Sequence, residues 1–207
     1  MKDKAWYPIL YMFVVTAVFS SVLIGLSRMT QDRVNANERV AFERSVLNAL
    51  TIDGASSMSS LEVHSLYIRD IETNTTASGG ALRYVTEGTF NAYALPFEGQ
   101  GFWAPIKGVI GIKPDKKSII GISFYEQSET PGLGAEIVKP AFCDQFHGKI
   151  LSATGEPLSI LTKAEGMPDS PSEVEAVTGA TQTSTRLELM VNAAIASWRK
   201  AVEGGEE

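Results

Sequence analysis

The stretch Val177-Thr-Gly-Ala-Thr-Gln-Thr-Ser184 places four hydroxyls, on Thr178, Thr181, Thr183 and Ser184, within eight residues. Leu187, Val191, Ala194, Ile195, Trp198 and Val202 follow at helical spacing, so the hydroxyl-rich stretch opens an amphipathic helix. A helix N-terminus offers unpaired N–H donors and a partial positive charge, and so suits a phosphate group. Gly179 and Ala180 let a ligand approach the backbone closely, and the hydroxyls are available as ligands or attachment points. Plain helix capping by Ser or Thr accounts for the same residues. A second candidate is Glu129-Thr-Pro-Gly-Leu-Gly134. Pro131 followed by Gly132 marks a tight turn, and Gly134 permits a further positive φ. Such a loop at a strand end can wrap a phosphate or an aromatic edge, or can simply turn the chain.

Composition removes other chemistries. The 207 residues hold one cysteine, Cys143, and two histidines, His64 and His147. They cannot build an intramolecular disulfide framework, an all-cysteine metal site or a histidine-rich one. No metal site is expected. The net charge of −6 lacks the basic footprint of a nucleic-acid binder. No G-x-G-x-x-G dinucleotide fingerprint occurs, which argues against nicotinamide binding by this chain. Cys143 and both histidines read as packing or surface residues. Asn74-Thr-Thr76 fits a glycosylation sequon by pattern alone.

The elements that must position these residues follow. Residues 6–26 carry no charge and are almost wholly apolar. At 1.5 Å per residue they span roughly the ~30 Å hydrocarbon core of a bilayer. Trp6 and Tyr7 suit the interface, and Pro8 suits a first helical turn. The stretch is longer than a signal-peptide core and lacks its cleavage pattern. Residues 29–50 read as a helix, with Ala36, Val40, Leu47 and Leu50 near one face, ended by Asp53-Gly54. Strands are expected at Leu82–Thr86, 109–112 and 119–125, the last two joined by a turn through Pro114 and Asp115. The fold class is therefore α+β: a transmembrane helix (1–27), a stalk helix (28–55) and one domain (56–207).

Three separated segments then carry a resemblance. Gly101-Phe-Trp-Ala-Pro-Ile-Lys-Gly108 is one. The second is Ile122-Ser-Phe-Tyr-Glu-Gln-Ser-Glu-Thr-Pro-Gly-Leu-Gly-Ala-Glu136, continued by Pro140-Ala-Phe-Cys-Asp-Gln-Phe-His-Gly-Lys149. The third is Thr178-Gly-Ala-Thr181. Together they resemble the single-span, FMN-binding subunits of the Na⁺-translocating NADH:quinone reductases. That family of FMN-binding domains is related to the flavin-carrying subunits of the Rnf electron-transport complexes. The tetrapeptide matches the family's flavinylation motif, Ser/Thr-Gly-Ala-Thr.

The resemblance implies that Thr181 carries FMN through a phosphoester, installed from FAD by a separate flavin transferase. It implies Thr178, Gly179, Ala180, Thr183, Glu129, Thr130, Gly132, Leu133 and Gly134 as residues around the flavin. It further implies an electron-relay role among other subunits of a sodium-translocating NADH:ubiquinone reductase. The chain would be single-pass in the bacterial inner membrane, with the flavin domain on the periplasmic side. Counting Lys2 and Lys4 against Arg28, Arg33, Arg39 and Arg44 leans slightly to the opposite orientation. Two positions depart from the family pattern: Glu175 replaces the usual Asp, and Phe142 the common Trp. The alternatives are the corresponding subunit of an Rnf ferredoxin:NAD⁺ oxidoreductase, and a membrane-tethered binding module without redox chemistry.

Overall fold

The computed structural model describes residues 6–73, 79–153, 155–162 and 165–203. The sequon at Asn74 and Thr76 lies outside them. The chain divides into two compact units, Met1–Arg39 and Val40–Glu207.

Helix α1 runs unbroken over Trp6–Ala49, so the expected boundary between span and stalk falls inside one helix. Its first part is long and apolar enough to cross a membrane. There the large apolar side chains, among them Ile9, Phe13, Phe19 and Leu23, are exposed all around the helix, as expected of a helix whose solvent is lipid.

The second unit is built on one antiparallel sheet, in the order β1 (Ile71–Glu72), β2 (Leu82–Thr86), β3 (Thr89–Gln100), β4 (Pro105–Ile112) and β5 (Ile119–Glu126). Alternation along the strands sends side chains to two covered faces. Leu95, Phe97, Ile106, Ile110, Ile112, Ile119 and Ile122 share a core with α4 (Thr181–Glu203), through Leu187, Val191, Ile195 and Trp198. Ala92, Ala94 and Val109 face the other way. They meet Val46, Leu47 and Ala49 from the end of α1, and Val63 and Tyr67 from α2 (Ser60–Asp70).

Helix α2 starts at a capping box in which Ser59 and Glu62 satisfy each other's backbone N–H groups. That signal stands in the sequence as Ser59-Ser-Leu-Glu62. Strand β3 is the longest, yet it contains Pro96, which weakens a strand reading from sequence. The register explains its tolerance. β2 pairs with β3 only as far as Ala94, while β4 continues to Gln100. Pro96 thus lies where β3 has a single neighbour, and its missing N–H interrupts no ladder on the free side.

Past β5 the chain folds into short turns at Gly134–Val138 and Asp144–Phe146, with the four-residue helix α3 (Pro140–Cys143) between them. Strands β6 (Ser159–Leu161) and β7 (Glu173–Glu175) then pair in parallel. Asn192 of α4, itself buried, fixes this region by donating to the Leu158 carbonyl at 2.7 Å and accepting the Leu158 N–H at 3.0 Å. These bonds and the apolar stripe set α4 lengthwise on the sheet, and with it the position of Thr181 at its first turn.

The sheet also receives the end of α1 at two glycines. A Cβ on Gly111 would overlap the Ala49 carbonyl oxygen, and one on Gly121 would lie 3.1 Å from it. Backbone cannot step aside as a flexible side chain can. Gly111→Ala is therefore expected to lower stability by about 1–3 kcal/mol, read as a lower midpoint in chemical denaturation of the full chain in detergent.

Candidate functional site

Three backbone turns converge at the N-terminus of α4. The first is the β3–β4 hairpin, closed by the Gly101 N–H donating to the Ala104 carbonyl at 2.9 Å. It holds out Phe102 and Trp103, packed edge to face at 4.9 Å. The second is the β-turn after β5, where the Leu133 N–H donates to the Thr130 carbonyl at 3.1 Å. Pro131 takes its second position and Gly132, with φ of +75°, its third, as that turn chemistry requires. The third leads into α4, where Gly179 adopts φ of +79° and the Ala180 N–H donates to the Val177 carbonyl at 3.0 Å.

Gly134 is glycine for a reason other than the expected positive φ. Among the described glycines with positive φ it does not appear. A Cβ there would instead stand 2.5 Å from the Thr183 hydroxyl and 2.8 Å from Glu129 Oε2. Close approach, not dihedral freedom, fixes the residue.

Between the turns lies a cavity of about 350 Å³, lined by Phe102, Trp103, Glu129, Thr130, Leu133, Gly134 and residues 179–183. That volume is within the range of small-molecule sites. Its walls are apolar at Phe102, Trp103 and Leu133, all exposed. The Trp103 indole N–H donates to the Thr130 hydroxyl at 3.0 Å. Of the residues expected from sequence, Gly179, Ala180, Thr181, Thr183, Glu129, Thr130, Leu133 and Gly134 line it. Gly132 shapes the turn behind Leu133. Thr178 lines a neighbouring cavity instead, with Phe142, Gln145 and Glu175. Phe102 and Gln182 join the lining without a sequence expectation; a paired aromatic in a tight Gly-Phe-Trp-Ala hairpin is the signal that could have found the first.

The four hydroxyls are not equivalent. Ser184 is fully buried and its oxygen accepts the Val177 N–H at 3.2 Å. Thr183 is buried and donates to Glu129 Oε2 at 2.7 Å. Thr178 and Thr181 are exposed, and only Thr181 of these two faces the cavity. The Ser184 N–H makes the first helical bond, to the Ala180 carbonyl at 3.0 Å. The N–H groups just before it belong to the helix turn that has no backbone acceptors. An anion beside Thr181 is therefore met by backbone donors and by the positive end of the helix dipole.

Among the described residues, no group of three or more His, Cys, Asp and Glu is placed to hold a metal. His147 Nδ1 pairs with the Ile120 carbonyl at 2.8 Å, and His64 with the buried Glu43 at 2.9 Å. Burial, followed by the nearby Asp144 charge, pushes the Cys143 thiol up to about 12.

Residues 101–196 match the family described as FMN-binding domain. The chain belongs to that family. Its relatives are the NqrC proteins, which are subunits of Na(+)-translocating NADH-quinone reductases. The one from Pasteurella multocida is 34% identical over 47% of this chain and 37% of the relative. Similarity to the Chlamydia trachomatis protein is longer but lower, 25% over 94% of this chain and 71% of the relative. The match to the first of these thus spans under half of the relative's length. The crystal structure of the corresponding protein from Parabacteroides distasonis shares the fold, with a TM-score of 0.67 and 24% identity over 84% of this chain and 96% of that one.

Because the Cys143 thiol deprotonates only near pH 12, it is a poor nucleophile at neutral pH. Iodoacetamide at pH 8 is expected to alkylate it at least ~100-fold more slowly than a free cysteine. The rate should rise as pH climbs toward the folded value, and mass spectrometry of the intact chain follows it.

Proposed function

We propose that this chain is an electron-relay subunit of a membrane-bound Na⁺-translocating NADH:quinone reductase, with FMN held covalently at Thr181. The observation that carries the reading is the state of the hydroxyls: Thr181 alone combines exposure, a place in the cavity and a position at the helix N-terminus. The residues present fit the cofactor. The first-turn N–H groups and the helix dipole suit its phosphate, and Phe102, Trp103 and Leu133 suit a flat, largely apolar ring system.

Attachment is a transfer from FAD. The Thr181 oxygen forms a bond to the phosphorus nearest the riboflavin, the bond from that phosphorus to the bridging oxygen breaks, and AMP leaves with that oxygen. The hydroxyl proton passes to solvent or to the transferase. FMN supplies the redox chemistry when bound. The chain's own residues keep the phosphate beside the helix, wall the ring on its apolar side, and prevent loss of the cofactor by dissociation.

The long apolar helix α1 supports a single-pass anchor. The relatives from Pasteurella and Chlamydia support the quinone reductase over the Rnf complex as the assembly. The transport of sodium, the oxidation of NADH and the reduction of quinone fall to other subunits. The domain is assigned to the periplasmic face, where an alkaline phosphatase fused to the C-terminus would be active.

Coexpression with a flavin transferase tests the linkage. In a denaturing gel under ultraviolet light, the wild-type chain is expected to fluoresce and Thr181→Val to be dark. Thr178→Val should remain bright. A bright Thr181→Val band would move the attachment to another residue, and a dark wild type would favour a binding module without flavin.

A further inference from the structure

Glu129 is nearly inaccessible, at 5% exposed, yet it borders the cavity. Its two carboxylate oxygens are divided between two different turns. Oε1 accepts the backbone N–H of Trp103 at 3.1 Å, and Oε2 accepts the Thr183 hydroxyl at 2.7 Å. Its own N–H donates to Gln127 Oε1 at 2.7 Å. One side chain from the β5 turn thus pins both the aromatic hairpin and the first turn of α4.

The surroundings are cut to fit this carboxylate. A Cβ on Gly101 would stand 2.6 Å from Oε1, and one on Gly134 would strike Oε2 and the Thr183 oxygen. Two glycines from two different turns leave room for one acid and its partners. A buried carboxylate is costly unless its oxygens are paired with donors, so these bonds hold the three turns in a single arrangement. Thr183 stands two residues from Thr181 in the same helical turn.

We propose that Glu129 is a positioning residue for cofactor attachment: it anchors the first turn of α4 through the Thr183 hydroxyl, and so fixes where the Thr181 oxygen is presented. The inference rests on covalent attachment at Thr181. Glu129 acts on Thr181 only through Thr183, which distinguishes it from a residue that touches the cofactor.

The test uses the full-length chain in detergent with a purified flavin transferase and FAD. The readout is the rate at which the tryptic peptide containing Thr181 gains the mass of FMN. Thr183→Val and Glu129→Ala are each expected to slow attachment by about tenfold or more. Thr183→Ser keeps the hydroxyl and should restore the wild-type rate. The double variant Glu129→Ala with Thr183→Val should be no slower than Glu129→Ala alone, because both changes break one contact.

Wild-type rates in Thr183→Val and Glu129→Ala would overturn the proposal, as would additive losses in the double variant. Should Glu129→Ala fail to fold by circular dichroism, Thr183→Val decides alone: slowed attachment rescued by serine supports the proposal, and an unchanged rate rejects it. A wild-type peptide without the FMN mass would instead remove the covalent reading itself.

Discussion

A carboxylate taken out of water must find donors or be neutralised, and Glu129 finds them on two turns that are far apart in sequence. Residues 101–104, 127–134 and 177–183 come together around it. Any geometry that separates them strands a buried charge, so the site inherits its precision from electrostatics more than from packing. The glycines follow from the same constraint. Gly101 and Gly134 are small because the acid and its hydroxyl partner occupy the volume a methyl group would need.

The scaffold serves this convergence by covering both faces of the sheet. One face receives α4, the other the end of α1 together with α2. With both faces sealed, what remains open near the site is the end of the β3–β4 hairpin, beside the first turn of α4. The aromatic pair at that hairpin can therefore stay exposed without being drawn into the core. Asn192 adds a directional element to an otherwise apolar contact, since its amide must meet both polar groups of Leu158.

Much of this is legible in the residues. The apolar run of residues 6–26, the stripe from Leu187 to Val202 and the strands at Leu82–Thr86 and near 119–125 obey simple periodicities. The start of α4 at Thr181 follows from where its stripe begins. Strand β3 is not legible, because Asn91, Pro96 and Gly99 dilute the β pattern and its tolerance of proline depends on a register set by another strand. Helix α2 escapes notice despite its capping box, since its eleven residues show little apolar periodicity. The site divides in the same way. Turn chemistry marks Pro131 and Gly132, and the tetrapeptide marks Thr181. The inward role of Glu129 and the different fates of Thr181 and Thr183 require three-dimensional neighbours that no local pattern encodes.

Helix α4 has one end in the cavity and the rest of its length in the core. Its residues 181–184 are committed to the polar turns, and Leu187, Val191, Ile195 and Trp198 to the sheet. One extra residue inserted between Ser184 and Leu187 would turn one commitment against the other by about 100° and lengthen the rod by about 1.5 Å. Evolution can lengthen a surface turn at little cost, while the reading frame of this helix tolerates substitution but not insertion or deletion.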